Sequence, residues 1–189
     1  MNADLPLVAA LHYGGHERQP NPWGCIVRSL FALTAEPAVL EHEDDCNIAA
    51  HFARLPGSCG LTAFTLAKTP DLSPLGREFW AEYLGWLAVY DGDGPAFAHL
   101  LLGVPSERSP AHVVGAVACA AGVVVLDPAA DGERRYDLDG LLASKYGRAF
   151  EAHELQPADP AGHAWIDGPT APHVRSTRER WARTVLDQL

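Results

Sequence analysis

Two adjacent apolar runs in the second half of the 189-residue chain restrict its fold more than any other feature. The first spans residues 112–119, the second spans residues 122–128, and both are rich in β-branched valine. The short segment 120–122 separates them and is suited to a tight turn. The sequence therefore predicts a buried antiparallel β-hairpin in this region.

Two ionisable residues stand at the open end of this predicted hairpin. His112 begins the first run and Asp127 ends the second, so a tight hairpin brings the imidazole and the carboxylate side by side. A carboxylate beside an imidazole fixes the tautomer of the ring and raises its basicity. We therefore predict that His112 is a general base oriented by Asp127 and that a nucleophile completes the site.

A cysteine near the N-terminus is the candidate nucleophile. Pro20 and Pro22 interrupt a polar loop, and a helical spacing of apolar residues begins at Cys25 and continues to about Thr34. Cys25 is thus predicted in the first turn of a buried helix. The partial positive charge of a helix N-terminus favours a thiolate and lowers the pKa of a cysteine there.

A glutamine in the same loop is a candidate oxyanion donor. Gln19 lies six residues before Cys25, where its side-chain amide can turn back to assist the Cys25 backbone N–H in binding an oxyanion. It is the only glutamine before residue 156. These residue types are the parts needed for acyl transfer through a covalent thioester.

In this order along the chain, the residues resemble the papain-like cysteine peptidases. The most similar branch is typified by the double-glycine leader peptidase domains of bacteriocin exporters and their stand-alone relatives. The shared pattern is a glutamine and cysteine before a helix, a strand opened by histidine, and a strand ending in Asp127-Pro128 that an acidic or polar turn and a helix follow, here within residues 129–143. The resemblance covers these windows and the order of elements, and does not extend to residues 36–94 or beyond residue 150.

The resemblance implies a fold, a chemistry and a role for each residue. The fold would be α+β and papain-like, with a helical first half that contains the nucleophile and an antiparallel sheet in the second half. Cys25 would be the nucleophile, His112 the base, Asp127 the residue that orients it, and Gln19 the oxyanion donor. The substrate would be a peptide or protein, and no cofactor is implied. From length and composition, we expect one domain over residues 1–189.

The helix that follows the candidate nucleophile departs from the family pattern. Many relatives have glycine or a small residue directly after the nucleophile, whereas this chain has Ile26 and then Arg28. Arg28 is either a solvent-facing residue without effect on the thiolate or the mark of a different substrate.

Two other residues compete for roles in the site. Cys59 precedes an apolar run that extends to Leu66, which predicts a second helix starting at a cysteine, although no glutamine stands at loop distance before it. His163 lies in a segment that resembles the histidine motif of transglutaminase-like folds, but no later strand supplies an aspartate.

Three functions are compatible with the predicted site. With water as acceptor the chain would be a cysteine peptidase or amidase, and with an amine it would be an acyltransferase or transglutaminase-like enzyme. In the third, Cys25 is a core thiol and the contact of His112 with Asp127 is a strand-end hydrogen bond, so the domain is a catalytically silent binding module.

Composition excludes some other classes. The formal net charge of −10 argues against a nucleic-acid partner, which usually requires a clustered basic face. The apolar run at residues 5–11 has no preceding basic region and is too short to span a membrane, so we expect a cytoplasmic protein. A zinc site is not expected, because the candidate ligands lack paired, closely spaced knuckles. These candidates are His16, Cys25, Cys46, His51 and Cys59.

The remaining patterns predict further elements. Strands are expected over residues 5–13 and 97–104, and helices over residues 47–55 and 77–90. The last residues, about 175–189, are predicted to form an amphipathic helix that docks on the body of the protein or on a protein partner.

Overall fold

The computed structural model describes residues 24–34, 36–89, 97–107, 111–130 and 133–158. Within these ranges the α-helices are α1 (Cys25–Thr34), α2 (Ile48–Cys59), α3 (Gly76–Val89) and α4 (Leu138–Ala143). Two 3-10 helices span Pro37–His42 and Lys145–Arg148. The strands are β1 (Leu61–Lys68), β2 (Ala98–Val104), β3 (His112–Cys119), β4 (Gly122–Leu126), β5 (Arg134–Tyr136) and β6 (Glu151–Pro157).

The strands form an antiparallel sheet in the order β1, β6, β2, β3, β4, β5. Helices cover both of its faces. Leu30 of α1 clusters with Leu101 of β2 on one face, and Trp80 of α3 clusters with Leu102 of β2 on the other. Because helices cover both faces at the centre of the sheet, every position of β2 and β4 is buried. Burial on both faces explains why these strands are apolar at nearly every position rather than alternating. The architecture is α+β, with a helix near the N-terminus of the described chain.

The predicted hairpin is confirmed as β3 and β4. The two strands pair from Gly115 opposite Leu126 to Cys119 opposite Gly122. Gly122 has a φ of +148°, and a Cβ at this position would collide with the carbonyl oxygen of Tyr136. The turn therefore requires glycine, and it places the start of β3 beside the end of β4.

Helix α1 is confirmed where the sequence predicts it, and it packs closely on β3. A Cβ on Gly115 would lie 3.3 Å from Leu33 Cγ and 3.3 Å from the Ser29 carbonyl oxygen, so glycine permits this close approach. The buried Ser29 hydroxyl donates a hydrogen bond to the Val113 carbonyl at 3.2 Å. Ser29 lies one turn after Cys25 on the same side of the helix. These contacts hold the start of α1 against the start of β3.

The predicted helix from Cys59 to Leu66 is wrong. Helix α2 continues through Pro56, and Gly60 ends it with a φ of 68° while donating its N–H to carbonyls of the last turn. The following residues form β1, which pairs with β6 at one end of the sheet. Pairing with a strand about ninety residues away overrides the local pattern. The first half of the chain is thus not purely helical, since it also supplies an edge strand.

The other predictions have mixed outcomes. The helix predicted over 77–90 and the strand predicted over 97–104 are confirmed as α3 and β2. The helix predicted over 47–55 is α2, which starts after the capping residue Asn47 and extends four residues further. The predicted N-terminal strand at 5–13 and the predicted C-terminal helix at 175–189 lie outside the described residues.

Candidate active site

Three of the predicted site residues meet at the open end of the hairpin. Cys25 is the first residue of α1, His112 is the first residue of β3, and Asp127 directly follows β4. His112 Nε2 lies 2.7 Å from Asp127 Oδ1, and the side chains of His112 and Cys25 are close enough for each to shift the pKa of the other. The imidazole therefore stands between the thiol and the carboxylate.

The contact between His112 and Asp127 fixes the orientation of the ring. Asp127 is fully buried at 0% exposure, and the His112 side chain is 13% exposed. An ionised carboxylate only accepts hydrogen bonds, so His112 Nε2 is the donor. Nδ1 is then the ring nitrogen left to exchange a proton with the Cys25 thiol.

The surroundings of Cys25 favour the thiolate. Burial by itself raises the pKa of the thiol, but the hydrogen bond with His112, backbone hydrogen bonds from Val113 and Ile26, and the charge of the imidazole together lower it below its ordinary value of 9.0. Two N–H donors and an imidazolium all act on one sulfur at a helix N-terminus. This combination is the one expected around an activated cysteine.

The imidazole of His112 is held in its charged form. Burial opposes that charge, yet hydrogen bonds to Asp127 and Cys25 and the charges of both partners raise the pKa of His112 from 6.5 to about 9. Burial likewise raises the pKa of Asp127, but the hydrogen bonds from His112, Lys145 and the Ala129 N–H hold it well below its usual range. The contacts among the three groups thus all favour a thiolate and an imidazolium beside an ionised carboxylate.

Two residues that the sequence analysis did not single out also contact Asp127. Lys145 Nζ lies 2.7 Å and Tyr146 Oη lies 2.8 Å from Asp127 Oδ2. The Ala129 N–H donates to Asp127 Oδ1 at 2.9 Å, a local turn contact that an Asp-Pro-Ala sequence favours. The turn was readable from the sequence. The contacts of Lys145 and Tyr146 were not, because they depend on how the second 3-10 helix packs.

The unusual Arg28 has a partner away from the thiol. Its Nε lies 2.9 Å from Glu43 Oε1, and its Nη2 lies 3.2 Å from Glu43 Oε2. This paired, bidentate geometry joins α1 to the segment after the first 3-10 helix. Arg28, which lies one turn after Cys25, is thus held by the carboxylate of Glu43.

The competing cysteine is in an environment unlike that of Cys25. Cys59 is the last residue of α2, not the first residue of a helix. Its thiol donates a hydrogen bond to the Leu55 carbonyl at 3.4 Å, and burial raises its pKa. The C-terminal end of a helix carries partial negative charge, which disfavours a thiolate. Of the two cysteines, only Cys25 has surroundings that favour a nucleophile.

Two predicted participants cannot be placed. Gln19 and the alternative base His163 lie outside the described residues, as does His16. Across the described ranges, no three His, Cys, Asp or Glu side chains are grouped as metal ligands. No helix in the part of the chain that the structure describes is both long and apolar enough to cross a membrane.

The sequence matches no model of a known protein family and no curated protein. The geometry of the site is therefore the basis for assigning a function to this chain.

Proposed function

We propose that this protein is a cysteine-dependent acyl-transfer enzyme that cleaves peptide or isopeptide bonds. The observation that supports the proposal best is that His112 hydrogen-bonds to Asp127 and also interacts with the thiol of Cys25, the first residue of α1. The three residues belong to separate parts of the chain, and each has the chemical environment that its role requires. This arrangement is the geometry by which nucleophile, base and orienting group are recognised on unrelated folds.

The first half-reaction forms a thioester. The Cys25 thiolate attacks the carbonyl carbon of the scissile amide, and the carbonyl oxygen becomes an oxyanion. The Cys25 backbone N–H is among the first of α1, which have no acceptor within the helix, and is suited to bind that oxyanion. Gln19 is the proposed second donor. His112 then transfers its proton to the leaving amine as the C–N bond breaks.

The second half-reaction releases the acyl group. Neutral His112 removes a proton from an incoming water, which attacks the thioester and returns the sulfur to its thiolate form. The products are a carboxylic acid and an amine, and the imidazolium is restored. If an amine replaces water the same steps give a new amide, so the acceptor alone distinguishes a peptidase from an acyltransferase.

The proposal includes a papain-like fold with substrates similar to those of the double-glycine leader peptidases. The order of the described elements supports it: a helix that starts at the cysteine, a strand opened by the histidine, and a strand followed by the aspartate and then by α4. The cysteine approaches from a helical layer and the histidine from an antiparallel sheet. A peptide substrate would bind where these two layers meet.

Incubation with peptide libraries or with thioester donors should trap an acyl-enzyme. We expect intact-protein mass spectrometry to show an added acyl mass that maps to Cys25, because a thioester on that residue is the obligatory intermediate. Incubation of the acyl-enzyme in buffer without an amine should then release a free acid, whereas buffer that contains an amine should also give an amide. An acyl mass on Cys59, or no acylation by any member of a broad library, would contradict the proposed reaction.

Alkylation should reveal the thiolate without any substrate. At mildly acidic pH, we expect iodoacetamide to modify Cys25 faster than Cys46, Cys59 or Cys119, because the pKa of the Cys25 thiol is lowered while that of Cys59 is raised. The rate should change again as His112 loses its proton near pH 9. Peptide mapping of the labelled protein measures each site separately. Equal and slow labelling of all four cysteines would instead favour the silent binding module.

A further inference from the structure

We propose that Lys145 and Tyr146 are positioning residues of this site, which set the negative charge that Asp127 presents to His112 and thereby the pH range in which Cys25 and His112 form an ion pair. The inference rests on the proposed function and concerns residues that contact Asp127 rather than the reacting atoms. It assigns a role to the second 3-10 helix, which lies between α4 and β6.

The two oxygens of the Asp127 carboxylate bind different partners. Oδ1 accepts from His112 Nε2 at 2.7 Å, while Oδ2 accepts from Lys145 Nζ at 2.7 Å and from the Tyr146 hydroxyl at 2.8 Å. Donors on Oδ2 hold the plane of the carboxylate so that Oδ1 stays directed at the ring. They also draw negative charge away from the oxygen that His112 uses.

The lysine approaches this buried group from solvent. The Lys145 side chain is 62% exposed, whereas Asp127 is 0% exposed. Tyr146 is buried and provides a neutral hydrogen bond, because burial and the charge of Asp127 raise the pKa of its hydroxyl. The two residues therefore act on the same oxygen in different ways, one with charge and one without.

The sign of the effect follows from the charge of the ammonium. Each proton that the Cys25–His112 pair loses makes the site more negative, so a nearby cation favours both losses. The Lys145 ammonium and the His112 imidazolium lie on either side of the Asp127 carboxylate, on the order of 6 Å apart. At this separation, a partly screened unit charge shifts the pKa of a neighbouring group by about half a unit to one unit. Removal of the Lys145 charge should raise both pKa values of the pair.

Among the described residues, charged and titratable groups that act on Asp127 or on Tyr146 lie on three elements. His112 faces Asp127 from β3, and Lys145 and Tyr146 face it from the second 3-10 helix. Tyr136 and Arg134 act on Tyr146 from β5. Substitution of Lys145 alters the charge in direct contact with Asp127 and leaves the β5 residues in place.

The chain contains matched controls away from the site. Lys68 Nζ lies 2.9 Å from Glu151 Oε1, and the Lys68 side chain is 58% exposed. The Tyr83 hydroxyl donates to Glu154 Oε2 at 2.9 Å in a buried position. Like Lys145 and Tyr146, Lys68 and Tyr83 each contact a largely buried carboxylate, but these carboxylates are not the one that hydrogen-bonds to His112.

The test compares the pH dependence of Cys25 alkylation between variants of the full chain. In Lys145→Met, the acidic midpoint of the profile should rise by about half a unit to one unit, and the difference from wild type should shrink at high salt, because the lysine is exposed. Lys145→Arg, which keeps the positive charge beside Asp127, should have the same midpoint as the wild type. Tyr146→Phe should also raise this midpoint. Without the hydrogen bond from Tyr146, Asp127 presents more negative charge to His112, which opposes the loss of a proton from Cys25 and His112. Lys68→Met and Tyr83→Phe should leave the midpoint unchanged.

Different failures have different meanings. An unchanged profile in Lys145→Met and Tyr146→Phe, or an equal shift in Lys68→Met, would overturn the positioning role while leaving the proposed function intact. A wild-type profile with no reactive thiolate below neutral pH would overturn both. Thermal unfolding of each variant distinguishes a shifted pKa from a damaged fold, because loss of structure would affect all four cysteines.

Discussion

Replacement of Cys25 by alanine should abolish turnover while the protein remains folded. The substitution removes the sulfur that forms the thioester, and no neighbouring group described at the site supplies another nucleophile. If Cys25 is the nucleophile that we propose, kcat should fall by at least about a thousandfold, towards background. Cys25 is only half-buried, so the free energy of unfolding should change by about 1 kcal/mol or less. Turnover assays and denaturant unfolding measure the two effects independently.

Cys59→Ala is the matched control for this experiment. Cys59 is also half-buried, and it also lies at a helix end. Its removal should leave turnover close to the wild-type value, because its thiol donates to the Leu55 carbonyl and burial raises its pKa, so it is not activated for attack. Full activity in Cys25→Ala together with loss of activity in Cys59→Ala would assign the nucleophile to α2 and refute the proposed site.

Replacement of Asp127 by asparagine should cost both activity and stability. The amide has one accepting oxygen where the carboxylate has two, so it cannot satisfy His112 and Lys145 together, and it no longer stabilises the imidazolium. We expect kcat to fall by about 10²–10⁴, the range expected when the residue orienting a catalytic histidine is neutralised. The unsatisfied buried groups should lower the free energy of unfolding by about 1–3 kcal/mol. The alkylation profile of Cys25 should move towards that of an ordinary thiol.

The variant Glu154→Gln distinguishes the loss of activity expected for Asp127→Asn from the loss of stability. Glu154 is buried and accepts a hydrogen bond from Tyr83, as Asp127 does from Tyr146. Its neutralisation should lower stability by a similar amount but leave the pH profile of Cys25 unchanged. If Glu154→Gln reduces kcat as strongly as Asp127→Asn does, the effect of Asp127 is structural and not specific to His112.

Local patterns were sufficient to predict the elements that build the centre of the site. The β3–β4 hairpin has β-branched runs and a glycine turn within a few residues, and α1 has a helical spacing directly after a proline-containing loop. Contacts between residues close in sequence determine both elements. The meeting of His112 with Asp127 follows from the hairpin alone. The meeting of Cys25 with His112 was inferred from chemistry and resemblance, and it depends on the packing of α1 against Gly115.

Features that depend on distant pairing were not predictable. The segment after Cys59 has an apolar pattern compatible with a helix, but its backbone pairs with β6, which the local pattern does not indicate. Lys145 and Tyr146 are ordinary residues of a short helical turn in the sequence. Their role is visible only when that turn packs beside the end of β4 and directs both side chains to Asp127.

The close contact of α1 with β3 has a consequence for the protein during synthesis. Cys25 emerges from the ribosome long before residue 112, so until the hairpin has formed and α1 has packed on it, the thiol lacks the neighbours His112 and Val113 that lower its pKa. In the enzyme that we propose, the reactivity of Cys25 would therefore arise only after tertiary assembly. A nascent or partly unfolded chain would be protected from premature acylation, and reactivity of this one sulfur would report completed folding.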